Sequence, residues 1–292
     1  MFAIIGIVVV LAAIIGGYLM EHGNLLVLFQ PGEFVIIFGS ALGTVLIANP
    51  ISTLMRIVKA LISVIGGSKY DEAFYLDSLK MLYDVFGYAR KAGMAKLEGD
   101  VDDPKASPLF SKYPKLLANH HALDFICDTF RIFISGGAEP FDLDQMMELD
   151  MEVHHHETQQ DISALTSVAD ALPGLGIVAA VLGVVITMGA LGGPPEEMGK
   201  KVAAALVGTF LGILCCYGFV GPLSANLTRM NEGDGQYFHF LRVGLLAFMK
   251  GSSPITAVEF ARRSVPSSIR PSFKKMESTC RGAGGGAGAI AA

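Results

Sequence analysis

Four stretches of this chain, residues 2–20, 34–51, 172–191 and 202–223, contain no Asp, Glu, Lys, Arg or His. Crossing about 30 Å of hydrocarbon takes roughly 20 helical residues, because each adds about 1.5 Å and every backbone polar group must be paired within its own helix. Each stretch meets that requirement. The rest of the composition agrees: 52% hydrophobic residues against 17% charged is too apolar for a soluble domain of 292 residues. The sequence therefore predicts an all-α membrane protein with four transmembrane helices. The first stretch has no basic residues before it and no small-residue cleavage site after it, so it is expected to be a retained helix and not a removable signal.

Orientation follows from Lys and Arg, which are retained on the cytoplasmic side. The link 21–33 holds neither, and the link 192–201 holds only Lys200 and Lys201. Arg56 and Lys59 follow the second stretch closely and Arg229 follows the fourth. Both short links are expected outside and both termini inside. This divides the chain into 1–51, the first two transmembrane helices with their periplasmic link; 52–171, a large helical cytoplasmic insertion between helices 2 and 3; 172–224, the last two transmembrane helices; and 225–292, a cytoplasmic C-terminal tail. Within the insertion, Leu76, Leu79, Leu82 and Phe86 recur at helical spacing in 70–97, and 125–134 and 141–156 also read as helices. The Gly/Ala-rich end, 282–292, cannot bury enough surface to order itself.

The membrane stretches are rich in small residues at four-residue spacing, which lets helix backbones approach closely in lipid. Gly39 and Gly43, Gly208 and Gly212, Gly176 and Ala180, and Ala179 and Gly183 make such pairs. Ordinary packing explains any one of them; together on the last two stretches they suggest a surface that holds another helix. Pro173 and Pro222 are expected at matching depth near the cytoplasmic edge. A plain helix boundary fits either proline, and Asp170 supports it as an acid in a first turn. A pair of hinges fits them equally, since each proline removes a backbone donor. The four stretches offer hydroxyls (Ser40, Thr44, Thr187, Thr209 and Tyr217) but no ionisable acid. A proton-driven transporter normally keeps one near the bilayer centre. If the chain conducts ions, the titrating group is expected on another polypeptide.

Other classes find little support. Basic residues form no tract for a phosphate backbone, so nucleic acid is not expected as a partner. Cys127, Cys215, Cys216 and Cys280 show no CxxC spacing and read as reduced packing residues. His154 to His156 cannot aim three neighbouring imidazoles, about 100° apart on a helix, at one ion, so neither a metal nor another cofactor is expected. No catalytic constellation is visible, and the chain does not read as an enzyme.

From Leu172 through Pro173-Gly-Leu-Gly176 to Val185, and again from Ala205 to Gly212 and at Gly221-Pro222, the sequence resembles the MotA/TolQ/ExbB proton-channel family. The Gln30-Pro-Gly-Glu33 entry to the second stretch and the four-span layout extend the resemblance over nearly the whole chain. Three-span members such as TolQ and ExbB energise outer-membrane transport; four spans favour the flagellar branch, with the ExbB-like role as the alternative. The resemblance implies a flagellar stator subunit of a bacterial inner membrane: five copies around a MotB-like partner whose single transmembrane helix carries an ion-accepting aspartate. It implies that Thr209 and Ala180 face the ion path, that Pro173 and Pro222 couple conformation to torque, that Asp170 lies at the cytoplasmic mouth, and that Arg90 and Glu98 contact a FliG-like rotor protein. Sodium-driven relatives carry threonine at the position of Ala180. A methyl group supplies no oxygen to replace hydration water, so protons are the expected coupling ion.

Overall fold

A computed structural model describes residues 2–67, 69–189, 192 and 194–282. The expectation for the Gly/Ala-rich end lies, past Gly282, outside the described residues. The regular structure of the described residues is all helical: α1 Phe2–Met20, α2 Pro31–Ala48, α3 Ile51–Gly66, α4 Glu72–Ala92, α5 Met94–Asp102, α6 His120–Ile134, α7 Pro140–Met188, α8 Pro195–Met249, α9 Pro254–Ser264 and α10 Phe273–Arg281. Single helical turns at Leu25–Leu28 and Pro114–Leu117 lie in the links. Four helical stretches are long and apolar enough to cross a membrane, Phe2–Met20, Leu25–Ala48, Pro140–Met188 and Pro195–Met249, so the expected all-α fold with four spans is what forms.

The chain divides into two compact units, 1–67 with 157–231, and 68–156 with 232–292. The first holds all four apolar stretches. None of the residues of α1 is buried, as suits a helix apolar all round whose surroundings are lipid or other chains. In α2, Glu33, Ile37, Ala41 and Val45 are the buried residues, a four-residue repeat that turns one face inward. Ile37 and Ala41 pack with Ala169, Leu172 and Ala179 of α7 and with Cys215 and Cys216 of α8. The helix α3, which the sequence left within the insertion, puts Ile57 and Val64 against Ile162, Leu165 and Leu227. Its Arg56 Nε donates to both Asp161 oxygens, at 2.9 and 2.8 Å.

The second unit is built on α4. Leu79, Leu82 and Phe86 are fully buried and Leu76 packs at the edge of the same core, the face expected from their spacing. Phe86 stacks on Phe248 at 4.4 Å with the rings 4° from parallel, and Tyr70, Phe74, Tyr75, Tyr237 and Phe240 form a second aromatic cluster. Burying rings of this size contributes about 2–3 kcal/mol each before conformational entropy is set against it. The Tyr237 hydroxyl, wholly enclosed, finds Ser78 Oγ at 3.1 Å, and burial pushes the Tyr75 hydroxyl up to about 12. All four cysteines are free and buried, in keeping with a packing role.

Glu259 lies between Arg262, with bonds of 2.7 and 2.8 Å, and Arg263, at 2.8 Å. Hydrogen bonds from Arg262 lead in holding its carboxyl below the ordinary value, against an opposing effect of burial. A lowered folded value means that this stabilisation is complete above the unfolded value, about 4.3, and is lost as pH falls through the folded one. Glu259→Gln is expected to cost on the order of 1 kcal/mol at neutral pH. Thermal unfolding in detergent should show that difference shrinking to nothing in acid; a difference independent of pH would refute the assignment.

Candidate functional site

The small residues of the third and fourth spans meet each other. A Cβ built on Gly176 would lie 2.8 Å from the Gly208 carbonyl oxygen and 3.1 Å from Gly212 Cα; one built on Gly183 would lie 2.7 Å from Ala205 Cβ. On Gly212 it would lie 2.5 Å from the Leu172 carbonyl oxygen and 2.9 Å from Gly176 Cα. The ridges are thus used within the chain, to bring α7 and α8 into backbone contact, and not as a free surface for a second chain's helix. Gly39 and Gly43, in contrast, have nothing within 4 Å, so that pair in α2 is unused here.

This crossing brings Ala180 beside the Gly208–Thr209 turn: a Cβ on Gly208 would be 3.2 Å from Ala180 N. Thr209 and Ala180 are both half-buried. Around them α7 and α8 leave large apolar side chains uncovered, among them Val181, Val185, Leu206, Phe210 and Tyr217. Other hydroxyls are satisfied locally, Thr187 Oγ1 donating to the Gly183 carbonyl at 2.8 Å and Thr166 Oγ1 pairing with Ser224 Oγ at 2.7 Å.

One residue at this crossing escaped the sequence analysis. The helix α2 begins at Pro31, three residues before the stretch taken as the second span. Glu33 therefore lies inside it, 8% exposed, and its Oε2 is buried with no hydrogen-bond partner. A Cβ on Gly208 would collide with that oxygen. The expectation that the spans hold no ionisable acid is corrected accordingly. A signal was present: proline at a first helical position followed by an acid in the first turn marks a helix start. An unpaired ionised carboxylate in such a place costs several kcal/mol.

The prolines also depart from expectation. Pro173 sits inside α7, which is continuous from Pro140 to Met188, so it marks no helix boundary. Asp170 is an exposed mid-helix residue and not a first-turn acid. Eight residues before Pro222, α8 widens into a π-helical segment, Leu214–Val220, after which the Gly221 N–H donates to the Cys216 carbonyl. Extra backbone accommodated in this way is common at functional sites. Pro222 then removes the next donor. The two prolines are not level: Leu172 meets Gly212, whereas Ser224, just past Pro222, meets Thr166. They are staggered by more than one helical turn, because the antiparallel helices pair in the register their glycines set.

In the other unit, Arg90 and Glu98 are both exposed but lie on different helices. Gly93, at φ +88°, ends α4 and starts α5, so the single helix that would align them does not continue through this point. Arg90 lines a cavity with Lys91, Lys112, Tyr83, Tyr88 and Pro254, and Glu98 does not. The His121 and His154 rings lie 4.9 Å apart, with His154 also against Phe238. No group of three or more His, Cys, Asp or Glu that could hold a metal occurs among the described residues.

These features define a polytopic helical membrane protein with a second compact helical unit, in which a glycine crossing carries the candidate polar residues. Residues 4–93 match the family described as motility protein A N-terminal, and residues 118–236 match the MotA/TolQ/ExbB proton channel family. Motility protein A of Escherichia coli is 40% identical over 281 residues, 96% of this chain and 95% of its own length; that of Salmonella typhimurium is 38% identical over the same extent. Among solved structures, a chain of the C. jejuni MotAB structure superposes with a TM-score of 0.75 at 18% identity, covering 92% of this chain and 98% of that one. A chain of the flagellar MotAB stator complex from Bacillus subtilis gives 0.72 at 20% identity, covering 94% and 98%. At such identities the structures speak for the fold alone. The chain belongs to the MotA/TolQ/ExbB proton channel family, in its motility protein A branch.

Gly212 and Gly39 offer a matched pair of substitutions. Gly212→Ala presses a methyl into backbone on both sides and is expected to destabilise the membrane helices by about 1–3 kcal/mol, while Gly39→Ala, facing open space, should be nearly neutral. Heat stability of the two purified variants in detergent tests this; equal stability would remove the argument for the crossing.

Proposed function

We propose that this chain is the proton-driven stator subunit of a bacterial flagellar motor. It is a membrane-embedded channel subunit and not an enzyme. The observation that carries the reading is the α7–α8 crossing, where Gly176, Gly208 and Gly212 bring Ala180 alongside the Thr209 turn and apolar side chains are left uncovered for other helices. The named likeness to motility protein A over 96% of the chain supports the flagellar role. The match of residues 4–93 to the motility protein A N-terminal family favours it over an ExbB- or TolQ-like role.

In this reading five copies, in the inner membrane with both termini cytoplasmic, surround a MotB-like partner. Protons bind the partner's aspartate beside Thr209 and Ala180 and leave past Pro173, with Asp170 at the cytoplasmic mouth. Neutralising a carboxylate in a low dielectric removes a large desolvation penalty, so the preferred packing of helices around it changes with each proton. Pro173, and Pro222 with the π segment before it, are the joints that absorb the change, since each already lacks a backbone donor. The ring then steps around its core and carries Arg90 and Glu98 past a FliG-like rotor protein. Charges on such a surface set register without locking it. Ala180 supplies no oxygen for sodium, which makes protons the coupling ion.

Replacing the partner's aspartate with asparagine is expected to abolish proton conduction and swimming together; retention of both would end this mechanism. Swimming should stop with a protonophore and be indifferent to removal of external sodium, and the opposite pair of results would reject protons.

A further inference from the structure

The mechanism above places the titrating group on another polypeptide and leaves Glu33 without a task. Yet α2 turns this carboxyl inward at the head of the series Glu33, Ile37, Ala41 and Val45. Its Oε2 has no hydrogen-bond partner and lies where α8 offers no side chain: the Cβ that Gly208 lacks would strike it, and would also come within 3.1 Å of Ala179 Cβ and 3.2 Å of Ala180 N. The carboxyl is held against the bare backbone of the crossing, next to Ala180 and one residue from Thr209.

Other charged and titratable groups on the elements around it are distant, paired or apolar in character. On α7 the nearest is Asp170, nine residues before Ala179, about 13 Å along the helix. On α8, Lys200 and Lys201 lie about 10–12 Å along the helix from Gly208, and Lys200 pairs with Glu196 at 2.9 Å. Cys215 and Cys216, further along α8, are buried thiols. From α1 and its link come Tyr18, whose hydroxyl bonds the Asn24 carbonyl at 3.4 Å, and the exposed Glu21 and His22. Among the described residues no cation pairs with the Glu33 carboxyl. An ionised carboxylate here would leave its buried Oε2 with neither counter-ion nor hydrogen-bond partner, whereas the neutral acid forfeits only ordinary hydrogen bonds to water.

We propose that Glu33 is a proton-binding site carried by this chain itself: its carboxylate takes up one proton from water as it enters the seat against Gly208, and returns that proton to water when α2 and the α7–α8 pair shift apart. Gly208 is the positioning residue, since any side chain there would fill the seat. The inference rests on reading α7 and α8 as moving parts of an ion-driven complex. It gives each subunit a proton-linked preference for the packed state in addition to the partner's aspartate.

Infrared spectroscopy of the intact complex with its partner tests the proposal. At neutral pH the unmutated complex should show the C=O stretch of a protonated carboxylic acid that shifts on 13C-glutamate labelling but not on 13C-aspartate labelling. The band should persist when the partner's aspartate is changed to asparagine, vanish in Glu33→Gln, and titrate away at lower pH in Gly208→Ala than in the unmutated protein. Absence of a glutamate-sensitive acid band at neutral pH, or a band that survives Glu33→Gln, overturns the proposal. Should Glu33→Gln fail to assemble, the labelled, unmutated complex decides by itself. The same spectrum is informative even for a complex that conducts no protons, a result that would count against the proposed function and not against the protonation of Glu33.

Discussion

The contact on which the membrane unit depends is backbone against backbone, Gly176 of α7 on Gly208 and Gly212 of α8. In lipid, apolar side chains gain little by meeting one another, so association is governed by how closely two helices approach and how well they pack. Removing Cβ at three positions lets the Leu172 carbonyl reach Gly212 and the Gly208 carbonyl reach Gly176. That register determines what else can be near. It places Ala180 next to Gly208, opens the seat for Glu33, and staggers Pro173 from Pro222.

The other unit is held by a different force. Its core of stacked and edge-on aromatics around Phe86, Tyr237 and Phe248 is what water drives together, and its polar atoms are satisfied inside, as where Tyr113 donates to Asp84 at 2.6 Å. Ion pairs such as Arg242 with Asp144, at 2.6 Å, tie α8 to α7 within it. Burial of aromatic surface thus organises this unit, and close fit of small residues organises the one that holds the apolar stretches.

Between these demands, α8 carries the least regular backbone of the described helices. The π segment Leu214–Val220 and the proline that follows it break the uniform hydrogen-bond ladder, and in a bilayer such breaks persist only where surrounding protein supports them. Gly221 is required there, because a Cβ would come 2.9 Å from the Cys216 carbonyl oxygen. A break of this kind is a common feature of functional sites in helices, and it is the feature on which the proposed change of packing would act.

Four spans, the helical class, and the inward face of α4 were legible in the sequence, because hydrocarbon thickness and helical period act on every residue of a long segment. So was the importance of the glycines, though not their use: spacing cannot say whether a ridge meets its own chain or another. The break at Gly93, which separates Arg90 from Glu98, was written locally, as a glycine at positive φ where a helix ends, and passed unread; the continuity of α7 through Pro173 runs against local preference. Glu33 is the sharpest case. Composition placed it at the edge of a span, and only the approach of α8, with a hydrogen atom where a side chain would be, turned an end-of-helix acid into a buried one. Local chemistry is written along the chain, while burial is decided by residues nearly two hundred positions away.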